Sequence, residues 1–355
     1  MSDKLYELPN PILDKKELSS LNELTNRYKK LTEPSKVSKA ISKAMSVIPE
    51  SIKEKGASVA NQITSQELYR QTMELISMGF NTLEEQVAKL TISEAMIIKN
   101  INKESKDIQI ESLIEICLVR SYIVSKTVNK NNGMSRLYAV IEGGATGVFG
   151  FWGLPFNLAF STLLYFRAVQ TIAMYYGYDV KKDESELIIA SEVFTIALSP
   201  RNNDTKNELS GIIGKVMVMS EAAIVKQTAK KTWTDMAAKG GIPLLLTQMR
   251  ALANKAAKKA LEKAGQKGLE QSLFKGAFEQ IGKKLTQKVI QRSVPVVSGA
   301  LGALIDLGQM NQIVEFADVF YQKRFIMEKQ GRIDELTSND IVIDAEFTEI
   351  DNNDD

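Results

Sequence analysis

A chain of 355 residues, 44% apolar and 25% charged, sits near the average of soluble globular proteins and is long enough for one large domain or two. A formal net charge of +2 gives no global field that would draw nucleic acid. The chain has no histidine, which excludes Ser-His, Cys-His and His-metal sites, and its one cysteine excludes an internal disulfide and suits a reducing compartment.

The opening MSDKLYELPNPILDKKEL has no apolar run after a basic start, which argues against a signal peptide and for a cytoplasmic protein. Over 14–32, Leu18, Leu21, Leu24, Tyr28 and Leu31 recur three or four apart, with Asp14 as helix cap and Glu17 completing a capping box. A second short helix is expected over 36–48, ending before Pro49. Residues 1–50 thus read as a helical arm, 51–332 as an all-helical domain and 333–355 as an acidic, disordered tail. Asn81-Thr82-Leu83-Glu84 is a helix start, and 105–130 reads as one longer amphipathic helix stopped by Asn131-Asn132-Gly133. Cys117 lies in the apolar row of that stretch and reads as a core thiol.

The stretch 137–179, LYAVIEGGATGVFGFWGLPFNLAFSTLLYFRAVQTIAMYYGYD, organises the chain. The 24 residues between Glu142 and Arg167 carry no formal charge, enough in length to cross a bilayer. Glycines 143, 144, 147, 150 and 153, followed by Pro155, argue instead for two apolar helices broken at Gly153-Leu154-Pro155. Pro155 starts the second helix and Gly177 caps its end, while Gly143-x-x-x-Gly147 admits close helix approach.

These residues resemble the signature of the EcsC family of bacterial proteins. In that family a glycine-rich GGxxGxxGxxGLP turn leads into a helix ending R-x-x-x-x-I-A-x-x-Y-G-x-D. The matching positions are Gly143, Gly144, Gly147, Gly150, Gly153, Leu154, Pro155, Arg167, Ile172, Ala173, Tyr176, Gly177 and Asp179. A second block, Val294 to Ile326, is similar to the family's P-x-x-G-x-x-x-G segment and following helix. The resemblance covers about residues 65–330, and Asn157 departs from it, standing where the family more often has an acid. The family takes its name from a gene beside an ABC-type transporter. The resemblance implies a fold core and carries no catalytic residue set.

After Gly177, KKDESELIIASEVFTIAL reads as a helix closed at Pro200, and RNNDTKNEL as a surface loop leading to another helix. Residues 249–292 hold eleven Lys or Arg against Glu262, Glu270 and Glu279, a net +8. Leu269, Leu273, Ala277, Ile281, Leu285 and Val289 form one apolar face, with a break expected at Gly265 and Gly268. The segment 293–308 is apolar and rich in small residues, and from Asp334 onward there are nine acids and no base. No window before the tail alternates like a sheet strand, so the fold class is all-α, built around the glycine- and aromatic-rich hairpin.

Asp183, Glu184, Glu186 and Glu192 could be read as a carboxylate metal site; the simpler reading is a helix cap and dipole complement. The glycine turn lacks the Lys-Ser/Thr ending and preceding strand of a phosphate loop. Arg167 needs a partner, and Glu142 is the expected one. The basic helices of 249–292 read either as the solvated face of an ordinary helical domain or as a contact for an anionic membrane surface, with Lys258, Lys259, Lys263, Lys275, Lys283 and Lys284 as the candidates and a membrane-protein partner as the other option. Nucleic acid is not expected, no cofactor or metal is assigned, and an oligomer stays open. The expected function is a non-enzymatic, membrane-associated accessory protein, peripheral at the inner face of the cell membrane, with the apolar hairpin and the segment 293–308 as apolar contacts and the basic helices steering to anionic headgroups. The alternatives are a membrane-perturbing effector (a toxin or abortive anti-phage component) and a carboxylate-dependent enzyme using Mg.

Overall fold

One helix near the C-terminus is buried on every side and the others are laid around it. The computed structural model describes residues 6–33, 93–130, 153–198, 207–219, 241–264, 268–276, 279 and 307–337. In chain order the helices are α1 (Lys15–Thr32), α2 (Glu94–Glu104), α3 (Ser121–Lys130), α4 (Gly153–Tyr175), α5 (Glu184–Ala197), α6 (Glu208–Val218), α7 (Ile242–Ala264) and α8 (Leu307–Thr337), with a 3-10 turn at Ile114–Leu118. There is no strand among the described residues, and the fold is all-α.

α8 packs against α1, α3, α4, α5, α6, α7 and the 3-10 turn. Every residue from Phe316 to Lys329 is buried, so this stretch of the helix has no solvent face. Aromatic pairs fasten its neighbours: Tyr28 of α1 meets Phe316 at 6.0 Å, Tyr176 meets Phe325 at 5.9 Å, and Phe166 of α4 meets Phe194 of α5 at 5.5 Å. Such rings each bury a large apolar area and favour tilted or edge contacts at this separation.

Local chemistry sets the helix ends. The Asp14 carboxylate accepts from the Glu17 amide at 2.7 Å, and the Glu17 side chain accepts from the Asp14 amide at 3.2 Å, the expected capping box. Ser93, Asp183 and Asn207 cap α2, α5 and α6 with their side chains. At the end of α4 the Tyr178 amide donates to the Ala173 carbonyl at 3.1 Å and the Gly177 amide to Met174 at 2.9 Å. With Gly177 at φ +81 this is a Schellman cap, for which glycine carries no Cβ penalty.

Two expectations change. The stretch 105–130 is not one helix: after α2 ends at Glu104, capped by Ser105, come an irregular segment, the 3-10 turn and only then α3. The physical reason is tertiary, because the Ser121 amide at the start of α3 is received by the Glu17 carboxylate at 2.8 Å, from α1. And α8 runs on to Thr337, so residues 333–337, assigned above to the tail, are helical, with Ile333 buried beside Cys117 and Leu118. The arm is joined to the body through α1, whose Leu21 and Leu24 are in the core against α8. The 36–48 helix, the start at Asn81, the first half of the glycine hairpin with Gly143, Gly144, Gly147 and Gly150, the segment 293–306 and the tail beyond 337 lie outside the described residues.

No helix among the described residues is long and apolar enough to cross a membrane. On α4 and just past its end, every residue from Thr162 to Tyr176 is buried within protein, against α5 and α8.

Candidate functional site

A buried polar system along α8 is the feature that the sequence alone did not disclose. Arg324, 1% exposed, forms a fork on Glu186 of α5, with its NH1 2.6 Å from Oε2 and NH2 2.7 Å from Oε1. Its Nε donates to Glu328 one turn on at 3.0 Å, and Glu328 also accepts the Tyr178 hydroxyl at 2.9 Å. The guanidinium lies 3.9 Å from the Tyr178 ring centroid. Planar bidentate pairing with a stacked ring is the arrangement that makes a buried arginine tolerable. Burial alone would raise the Glu328 carboxyl; Arg324 and Arg250 beside it outweigh that and hold it below the ordinary range. Arg250 of α7, half exposed, carries the cluster outward, 3.7 Å from Asp183 and 4.0 Å from Glu186.

A second knot centres on Glu17. Its Oε1 accepts Lys329 Nζ at 2.7 Å and the Ser121 amide at 2.8 Å; its Oε2 accepts Arg120 at 3.0 Å and the Asp14 amide. A third is Lys323, which donates to the Met217 and Met219 carbonyls at 2.6 and 2.8 Å and to the Thr25 hydroxyl at 2.7 Å. Those carbonyls belong to the end of α6, where a cation is favoured by the helix dipole. Burial pulls the Lys323 amine down to about 7. Fourth, Asp318 accepts the Tyr176 hydroxyl at 2.7 Å and Arg27 at 3.2 Å, and burial raises its carboxyl despite Arg27. In every knot the charged groups are taken up by protein partners, which is the chemistry of cross-bracing helices.

The residues singled out from sequence fall into two groups. Of the motif set, Arg167 is held by Glu270 at 2.7 Å and Gln170 at 2.8 Å, joining α4 to the helical turns at 268–276; Glu142, its expected partner, lies outside the described residues. Tyr176 reaches Asp318 and Gly177 makes the Schellman cap. Arg332 closes that cap from α8, its two amino groups donating to the Tyr176 and Gly177 carbonyls at 2.9 Å each. Asp179 receives the Lys181 and Lys182 amides at 3.0 and 3.2 Å and so shapes the turn before α5. Gly153 and Pro155 are in the first turn of α4.

The four carboxylates do not converge. Asp183 caps α5, and Glu192 accepts from Ser210 and Asn207. Glu184 and Glu186 make the acidic first turn of α5, and Glu186 is in addition the buried partner of Arg324. No grouping of three His, Cys, Asp or Glu side chains that could hold a metal ion occurs among the described residues. Cys117 is fully buried, and burial raises its thiol, as fits a core residue.

The second group is the lysines. Lys258, Lys259 and Lys263 on α7 and Lys275 beyond it are exposed, whereas Met249, Ala253, Ala257, Leu269 and Phe274 of the same segments are buried. Lys283 and Lys284 lie outside the described residues. Beside the lysines, α6 and α7 enclose a groove of about 800 Å³, its walls including Ile212, Lys215, Leu244, Thr247, Ala251 and Leu252.

Neither a curated protein nor a solved structure matches the chain. A family model does: that of the EcsC protein family matches residues 15–326, beginning at α1 rather than near residue 65 and ending inside α8. The matched span thus takes in Glu17 with its partners Arg120 and Ser121, and it runs through Lys323 and Arg324, on the strength of which the chain belongs to the EcsC protein family.

Proposed function

We propose that this EcsC-family protein is a non-enzymatic, membrane-associated accessory protein whose basic α7 face docks on anionic lipid headgroups. The observation that carries it is the sidedness of α7. Lys258, Lys259 and Lys263 project outward from a helix whose other face is anchored in the core by Met249, Ala253 and Ala257. A rigid helix presenting several ammonium groups together draws an anionic surface by about 1 kcal/mol per basic residue near it. Lys275 extends the same charge past the end of α7. Residues Thr162–Tyr176 of the apolar hairpin have no share in this contact, because they are packed into protein. The buried charges of α8 support a bracing role and not a reactive one: Glu17, Asp318 and Glu328 are each occupied by at least two donors.

Cell fractionation in low and high salt tests the reading. A peripheral electrostatic contact puts the protein with membranes at low salt and releases it at high salt. Recovery in the soluble fraction under both conditions would exclude it. Retention at high salt would point instead to an apolar contact or a membrane-protein partner.

A further inference from the structure

The groove between α6 and α7 and the lysines beside it form one continuous surface. Along α7 the positions 244, 247, 248, 251, 255, 258, 259 and 262 are linked to one another by three- and four-residue steps and so share a face. At its N-terminal end this face is the wall of the groove, with Leu244, Thr247 and Ala251; about 10 Å further along it is Lys258 and Lys259. On the opposite wall Ile212 lines the groove and Lys215 stands exposed at its edge. A ligand for this surface has to be apolar at one end or along one side and anionic at the other.

The chain carries a segment of that chemistry. Residues 338–355, SNDIVIDAEFTEIDNNDD, contain seven acids and no Lys or Arg, with Ile341, Val342, Ile343, Phe347 and Ile350 set among the acids. α8 ends at Thr337, and an extended chain from there brings Asp340 to at most about 10 Å, Glu346 to about 30 Å and Asp351 to about 48 Å, against a radius of gyration of about 20 Å for a chain of this length. Tethering on this scale gives an effective concentration in the millimolar range, so even a weak contact is populated.

We propose that the distal part of this segment, 346–351, docks in cis along the α6–α7 groove, with Phe347 and Ile350 in the groove and the carboxylates of Glu346, Glu349 and Asp351 on Lys258, Lys259 and Lys215. The segment then covers the face assigned above to lipid headgroups and regulates it by competition. That consequence rests on the membrane reading, whereas the docking itself does not.

The test uses the full-length protein without lipid. A zero-length carbodiimide couples amines to carboxylates in contact, and mass spectrometry maps the products in the monomeric fraction. Lys182–Glu94 at 3.0 Å and Lys126–Glu104 at 2.8 Å are built-in positive controls. The expected result is coupling of Lys258, Lys259 or Lys215 to Glu346, Glu349 or Asp351, reduced about tenfold in high salt. Lys258→Glu with Lys259→Glu should abolish it, and Glu346→Lys with Glu349→Lys in that background should restore coupling with reversed polarity. The proposal is overturned if the controls couple and the tail does not. It is equally overturned if tail products occur only in dimers, or spread evenly over distant lysines such as Lys30 and Lys181. A separate arm neutralises the tail in the full chain (Asp344→Asn, Glu346→Gln, Glu349→Gln, Asp351→Asn) and measures binding to phosphatidylglycerol vesicles. About tenfold tighter binding at low salt is expected. If neither form binds such vesicles while the cross-links stand, the membrane reading falls and the docking remains.

Discussion

Lys329 Nζ lies 2.7 Å from Glu17 Oε1, two fully buried charges brought together across 312 residues of sequence. The pair ties the last described helix to the first. Lys329 also donates to the Val119 carbonyl at 3.0 Å, so the same ammonium braces the link between the 3-10 turn and α3. Burial lowers the Lys329 amine, and Glu17 opposes that fall. Replacing one member of a buried pair leaves the other uncompensated, which costs about 3–5 kcal/mol. Lys329→Met should therefore destabilise the protein by about 3 kcal/mol, at the lower end because Arg120 and two amides still face Glu17. Urea unfolding measures it; a loss below about 1 kcal/mol would contradict the bracing role.

Gly177 and Gly214 should respond in opposite directions to alanine. A Cβ on Gly177 would sit 2.7 Å from the Leu113 carbonyl oxygen and push into the Arg332 guanidinium, and its φ of +81 disfavours any side chain. Gly177→Ala should cost about 1–3 kcal/mol. Gly214 is inside α6, and a methyl group placed there would meet nothing within 4 Å, so Gly214→Ala should stabilise by about 0.5–1 kcal/mol. Melting temperatures of the two variants would show it. Equal shifts of the same sign would refute the cap assignment.

What could be read from sequence was what local chemistry decides. Asp14 with Glu17, Asp183 and Gly177 mark helix ends because their partners are within a few residues. The all-α class followed from the same periodicities. The interruption of 105–130 was not readable, since the group that receives the Ser121 amide comes from α1, 104 residues away. α8 hid its importance for a related reason. Buried charges are read as surface unless their partners are known, and Arg324, Lys323 and Lys329 find theirs on α5, α6 and α1. Arg167 shows the halfway case: the need for a carboxylate follows from an arginine on an apolar helix, but Glu270 comes from a segment legible only as basic.

Lys323 predicts a pH dependence. Its amine is about 7 in the folded protein and near 10.4 in an unfolded chain. Between these values the unfolded state binds the extra proton, so stability from this group rises with pH, by up to about 1.4 kcal/mol per pH unit. The cost of burying the amine is absent above about pH 10.4 and complete once pH has fallen through about 7. The neutral amine still has two hydrogens for the Met217 and Met219 carbonyls, and the Thr25 hydroxyl can act as donor or acceptor towards it. Urea midpoints of the wild type, taken from about pH 7 to 9, should climb relative to those of Lys323→Met. Parallel curves would show that Lys323 keeps its proton throughout.

The lysines on α7 make the last prediction. Lys258, Lys259, Lys263 and Lys275 are exposed, so their replacement by glutamine leaves the core untouched and changes stability by no more than about 0.5 kcal/mol. If each is worth about 1 kcal/mol at an anionic surface, losing four weakens vesicle binding by about 4 kcal/mol, close to a thousandfold at low salt. The difference should shrink as salt is raised, because screening removes the attraction that the glutamines have already lost. Titration with vesicles rich in phosphatidylglycerol, in parallel with phosphatidylcholine vesicles, measures this. Unchanged affinity of the quadruple variant with a preserved unfolding midpoint would exclude α7 as the contact face. Equal binding to both vesicle types would exclude electrostatic docking altogether.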